Sequence, residues 1–202
     1  MPFKSRSNIG ADLHLAEKLL HLGARPPIVS QLCHLTRKQS IAFFKAVQGQ
    51  SPKQSMLPHD HHWAIRSALN NIHASLFLSM IEDIRHRLST PNLDATLLVA
   101  AYEIYSNVAS RILADRQIIQ SRSSQHYPLD INRAWYLISL LSAGDLVFMI
   151  CGRCRARYLG MIHPDAAFSQ CPICDVWTDR SGRRRWISTK SKMLTLNKPS
   201  AR

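Results

Sequence analysis

The chain has 202 residues, with 26 Lys and Arg against 13 Asp and Glu, a formal charge of +13. A hydrophobic content of 46%, with 7 Gly and 10 Pro, excludes disordered polycations, collagens and low-complexity proteins. The length suits one substantial domain with a small satellite, and the charge suits a polyanionic partner, nucleic acid before anionic membrane.

Asp12 is placed to cap a first helix, in which Leu15, Ala16, Leu19 and Leu20 recur at helical spacing before Gly23 ends it. Pro26 and Pro27 suit the start of a short second helix through Ile28, Val29 and Leu32. After a turn at His34-Leu35, Thr36 opens a third helix with Ile41, Phe44 and Val47 inward and Gly49 as its stop. Residues 50–61 read as loop, with Met56-Leu57-Pro58 anchoring its apolar residues on the body. One long helix is predicted over 62–88, its stripe being Ile65, Leu69, Ile72, Leu76, Met80, Ile84 and Leu88, ended by Ser89-Thr90-Pro91. Another covers 92–114, with Leu97, Ala101, Ile104, Tyr105, Val108 and Ile112. Gln120 to Gln125 reads as a linker. Asp130 then caps a sixth helix through Trp135, Ile138 and Leu141, stopped by Gly144. From Leu146 the pattern changes to short β-type runs around the cysteines.

The predicted fold class is therefore mainly α: a helical body with an N-terminal helix-turn-helix-like unit and a small C-terminal four-cysteine zinc-binding β module. The expected divisions are 1–50 (basic, helix-turn-helix-like), 51–145 (neutral helical body for oligomer or partner contacts), 146–178 (zinc module) and 179–202 (basic tail).

Cys151-Gly152-Arg153-Cys154 and Cys171-Pro172-Ile173-Cys174 are separated by sixteen residues. A two-residue spacer lets one tight turn present two thiolates to one ion, and the excursion is long enough for a hairpin, with Tyr158 to Ile162 a strand in it. The spacing predicts one zinc ion per chain on Cys151, Cys154, Cys171 and Cys174; an Fe–S cluster or a redox dithiol pair are the competing readings. All four ligands being Cys, no open catalytic position is expected. Arg153, Arg155 and Arg157 would offset the charge of four thiolates. Cys33 stands alone on an apolar stripe and reads as core.

The charge is uneven. Residues 1–50 are net +5, 51–150 net zero, 151–174 net +2 and 175–202 net +6. Residues 26–48 resemble a helix-turn-helix unit, whose recognition helix would offer Arg37, Lys38 and Gln39, with Lys45 further along, to bases and phosphates. In the tail, Arg183, Arg184 and Arg185 are candidate phosphate contacts, against the plainer alternative of a tail that aids solubility.

His59-Asp60-His61-His62 invites a metal-hydrolase reading, but contiguous side chains beside a proline diverge. His73, beside the apolar stripe, reads as a satisfied core histidine. No HExxH helix, P-loop, GxSxG elbow or glycine-rich fingerprint is present, so an enzyme is not expected. The longest apolar run, Leu146 to Cys151, has six residues, so no membrane association is expected and the chain reads as cytoplasmic.

Several ordered segments together resemble one family. They are Leu22-Gly23-Ala24-Arg25, Leu35-Thr36-Arg37, Met56-Leu57-Pro58 before Trp63, Ile72-His73-Ala74-Ser75-Leu76-Phe77, Arg133-Ala134-Trp135 and the late cysteine pairs. Their order and spacing, from about residue 11 to 176, resemble the bacterial flagellar regulator subunit family FlhC. The resemblance implies a transcriptional activator that binds promoter DNA with an FlhD partner, in a heterohexamer that works with RNA polymerase on flagellar class 2 operons. It also implies zinc on the late cysteines. The tail after residue 176 lies outside the resemblance, and the His59–His62 run departs from the family's loop. The alternative is a zinc-containing helical adaptor that binds protein or RNA without reading DNA sequence.

Overall fold

The computed structural model describes residues 6–53, 56–88, 94–114, 129–162 and 171–177, with the side chains of 6–9, 111–114 and 176–177 left out. The expected linker at 120–125, the start of the helix expected from 92, and the tail with Arg183, Arg184 and Arg185 lie outside the described residues.

The elements in chain order are α1 (Arg6–His21), α2 (Pro26–Leu32), α3 (Arg37–Gln48), α4 (Trp63–Arg66), α5 (Ala68–Leu88), α6 (Ala95–Ala114), α7 (Ile131–Ala143), β1 (Leu146–Ile150), β2 (Arg157–Met161) and α8 (Pro172–Trp177). The protein is mainly helical with one small antiparallel sheet, β1 against β2, in which Phe148 faces Leu159.

Local chemistry sets several boundaries. Thr36 and Gln39 form a reciprocal capping box at the start of α3. Asp130 caps α7 by accepting from the Asn132 and Arg133 N–H groups at 3.0 Å each. Gly144, at φ 83°, closes α7 in the left-handed conformation that leads the chain into β1.

Elsewhere tertiary context prevails. The first helix begins at Arg6, so Asp12 lies inside it and is no cap. Once Ala16, Leu19 and Leu20 are fully buried, extending the helix towards its N-terminus costs little. The helix expected over 62–88 is two helices. Ser67 is extended (φ −140°, ψ 150°), and its hydroxyl accepts the Asn70 N–H at 3.2 Å, restarting the helix as α5. The second cysteine pair, expected among β-type runs, opens a helix instead, with Pro172 at its first position.

The core runs through α1, α2, α5, α6 and α7, with Phe77, Leu78, Ile81, Leu98, Tyr105, Ile131 and Leu137 almost wholly buried. The α5 stripe expected from the sequence lies beside the core. Leu76, Met80 and Ile84 are half-buried, Leu69 and Leu88 exposed, while Asn71, Ala74, Ser75, Phe77, Leu78 and Ile81 are buried. The reason is that α5 packs against α4, α6, α7, β2 and α8, so it has no single inner face. Phe77 meets Tyr105 and Tyr102 edge-on, with ring centres 5.8 and 6.4 Å apart. Tyr102 donates to the Leu129 carbonyl at 2.9 Å and the Leu129 N–H donates to the Tyr105 hydroxyl at 3.0 Å, tying α6 to the approach to α7.

Of the apolar residues expected to anchor the 50–61 loop, Leu57 and Pro58 are half-buried. Met56 is exposed. The Arg25 guanidinium donates to the Met56 and Lys53 carbonyls at 2.6 and 3.1 Å, and Tyr136 donates to the His59 carbonyl at 2.9 Å.

Candidate metal centre and nucleic-acid interface

The first cysteine pair sits in the turn that joins β1 to β2. The Cys151 N–H donates to the Ala156 carbonyl and the Arg155 N–H to the Cys151 carbonyl, both at 2.9 Å, so the hairpin closes over the pair. Among the described residues the hairpin straddles the first pair, whereas the sequence suggested one within the sixteen-residue excursion. The second pair comes from Cys171, just before α8, and Cys174 within it.

The four sulfurs lie within 4.8 Å of one another. Cys151 Sγ is 3.9 Å from Cys174 Sγ, and Cys154 Sγ is 3.6 Å from Cys171 Sγ. None of the four is in a disulfide. A tetrahedral ion with metal–sulfur bonds of about 2.3 Å sets its sulfurs roughly 3.8 Å apart, so the arrangement suits a metal ion. The surroundings split the four thiols. The backbone N–H groups of Cys154 and then Arg153 draw the Cys151 thiol down to about 6. Cys174 is pushed up to about 12, first by its hydrogen bond with Cys154, and burial raises Cys171. Without a cation the cluster favours one thiolate; a divalent ion would ionise them all.

The cluster around the sulfurs has little apolar substance: Cys151, Tyr158 and Cys171 are buried, with Ala156, Ile173 and Cys174 against them. The strands that carry it enter the main core through Leu146 and Leu159, with Phe148 and Met161 packed against that core, and a polar clamp adds to this hold. Asn71 donates to the Leu159 carbonyl at 2.7 Å and accepts the Leu159 N–H at 3.2 Å, while Ser75 Oγ also accepts that N–H at 3.0 Å. The Ser75 hydroxyl donates to Asn71 Oδ1 at 2.9 Å. Asn71 therefore serves the outer edge of β2 as a neighbouring strand would. Arg157 pairs with Glu82 and lies over the Phe148 ring, 3.7 Å from its centre. Sequence reasoning missed this clamp. Its one signal was a pair of polar residues four apart within an apolar helix.

At the other end, α2, the turn at 33–36 and α3 form the helix-turn-helix-like unit. His34 takes the left-handed conformation (φ 54°) in the turn, and Ser30 Oγ donates to the Leu35 carbonyl at 2.5 Å. Lys38, Ala42, Lys45 and Ala46 share one exposed face of α3, with Arg37 exposed beside it, and α3 contains no acidic residue. Gln39 is exposed too, but its Oε1 accepts the Thr36 N–H at 2.9 Å, leaving its amide nitrogen for an outside partner.

The histidines do not converge. The Asp60 carboxylate holds Arg66 at 2.8 Å and the His62 N–H at 3.1 Å, and His59 Nδ1 faces the Leu57 carbonyl at 3.3 Å. Among the described residues, only the four cysteines form a group able to hold a metal ion. His73 Nδ1 is 2.7 Å from the Tyr105 hydroxyl, and burial lowers its pKa. Cys33 is buried in the core. No helix among the described residues is long and apolar enough to cross a membrane.

A family described as "Flagellar transcriptional activator (FlhC)" matches residues 1–188. The chain is similar to the flagellar transcriptional regulator FlhC of Paraburkholderia phymatum, at 31% identity over 86% of this chain and 73% of the relative. It is similar to that of Burkholderia lata at 31% over 84% and 72%. The Proteus mirabilis protein of the same name is 26% identical over 97% of this chain and 94% of its own length.

Proposed function

The chain belongs to the FlhC family of flagellar transcriptional activators, and from that premise we propose that it is a DNA-binding subunit of an activator complex on flagellar class 2 promoters. Its partner in this reading is an FlhD-like protein, in a heterohexamer that engages RNA polymerase in the cytoplasm. The family is one of transcriptional regulators, which is not an enzyme class.

The observation that carries the reading is the exposed face of α3. Two lysines are separated by alanines, Arg37 stands alongside, and no acid interrupts them. Small residues let the helix approach a groove, and the cations neutralise phosphates on its walls. Arg37, Lys38, Gln39 and Lys45 form the proposed recognition face, Gln39 through its amide nitrogen. Arg183, Arg184 and Arg185 add phosphate contacts on the strength of charge alone. The metal is zinc, because four thiolates in a closed tetrahedron suit that ion and leave no reactive position. The module is proposed as residues 146–178, the body between 51 and 145 as the seat of partner contacts.

The test is a gel-shift titration of a flagellar promoter duplex with the chain, with its FlhD-like partner, and with both. A specific complex is expected only with both. Replacing Lys38 and Lys45 by Ala should lower the slope of log affinity against log salt by about 1.8, at ~0.9 per phosphate contact. Equal affinity for random RNA and promoter DNA would instead favour the adaptor reading. Metal analysis should find one zinc per chain, and iron would overturn that assignment.

A further inference from the structure

We propose that the turn of the cysteine hairpin is a second contact to duplex DNA, in which Arg153 and Arg155 bind backbone phosphates. This rests on the DNA-binding reading above and adds a surface to it.

Arg155 has φ 62°, in the left-handed region that glycine occupies freely and a residue with a side chain occupies at a cost. Its N–H closes the turn on the Cys151 carbonyl. That bond needs the backbone conformation and makes no use of the guanidinium. An arginine stands where the backbone asks for glycine, so its side chain serves something outside the turn.

The surroundings indicate what. From Leu146 to Ile162 the hairpin carries three arginines and no acid. Arg157 is engaged with Glu82 and the Phe148 ring. Arg153 and Arg155 are exposed, and neither forms a salt bridge with a described carboxylate. The Arg157–Glu82 pair sets the hairpin beside the C-terminal part of α5, whose exposed end adds His86 and Arg87. The acids nearest in sequence are Asp145, exposed just before β1, Asp165, outside the described residues, and Asp175, exposed; Asp83 is exposed on α5. Two guanidinium forks on a turn fixed at its base by a metal suit phosphate oxygens, which arginine binds in pairs. A role confined to offsetting thiolate charge would need only proximity to the ion and no side chain turned to solvent.

The two roles separate because glycine is the easier residue at 155. The chain is co-purified with its FlhD-like partner, and its affinity for a labelled random-sequence duplex is followed from about 50 to 200 mM salt. Arg155→Gly should keep its metal and unfold at the same or a higher temperature, yet lower the salt slope by about 0.9. Arg153→Gln should lower it by a similar amount, and Arg155→Lys should restore it. Unchanged slopes in both neutral variants, with the wild-type complex still binding duplex, would overturn this proposal and leave the DNA-binding reading standing. Loss of metal from Arg155→Gly would assign the arginine to charge balance. Separation of the variant from its protein partner, or a slope change confined to single-stranded RNA, would overturn the proposal equally. A wild-type complex that binds no duplex would remove the DNA-binding reading itself.

Discussion

The helical body and the cysteine module are built on different physics. The body buries large side chains such as Tyr105, Phe77, Leu98 and Leu137, and its polar atoms find partners inside it. Around its sulfurs the module buries little beyond Tyr158 and two cysteines, and its strands join the body through Leu146 and Leu159, which enter the main core, and through Asn71, Ser75 and the Arg157–Glu82 pair. One region is held by apolar burial over a wide area. At the other, four cysteines able to hold a metal ion sit beyond two strands anchored by a pair of leucines and a few directional bonds. A small module can then present exposed arginines on a fixed backbone without a core of its own.

Metal removal tests that division most severely. Structural zinc supplies on the order of 10 kcal/mol in comparable small modules. Chelation or Cys154→Ser should therefore erase hydrogen-exchange protection over the turn at 151–157 while the α5 and α6 amides stay protected. Body and module losing protection together would break the comparison. Within the body, Phe77→Ala removes a fully buried ring at the α5–α6 contact and should cost about 3–5 kcal/mol in urea unfolding, with the metal retained.

The clamp lies between the two regions. Asn71→Ala leaves the Leu159 carbonyl without its donor in a buried place and should cost about 1–3 kcal/mol. Ser75→Ala should cost less, because the Leu159 N–H keeps Asn71. Equal losses would mean that Ser75, not the Asn71 amide, holds the edge of β2.

The smallest effect concerns His73. Burial holds its folded pKa below 6.5, so the unfolded chain binds the proton more readily. The contribution of this residue is full above pH 6.5 and declines as pH falls below it. His73→Gln should flatten that part of the stability profile below pH 6.5, measured as the difference from wild type. An identical profile in both proteins would remove His73 from the acid response.

The sequence by itself determined what near neighbours determine. The Cys-x-x-Cys spacers, the Thr36–Gln39 box, the Asp130 cap and the prolines opening α2 act over a few residues, and each is legible there. The ordered motifs also carried the family, which the match over residues 1–188 shows. What only the tertiary structure decided lies between residues far apart in the chain. Asn71 and Leu159 are 88 positions apart, and no local pattern marks one as the partner of the other. The burial of α5 depends on five elements that arrive separately, so its apolar stripe misjudged the inner face. The left-handed backbone at Arg155 is likewise set by closure of the turn against Cys151 and Ala156, a constraint that side-chain identity does not announce.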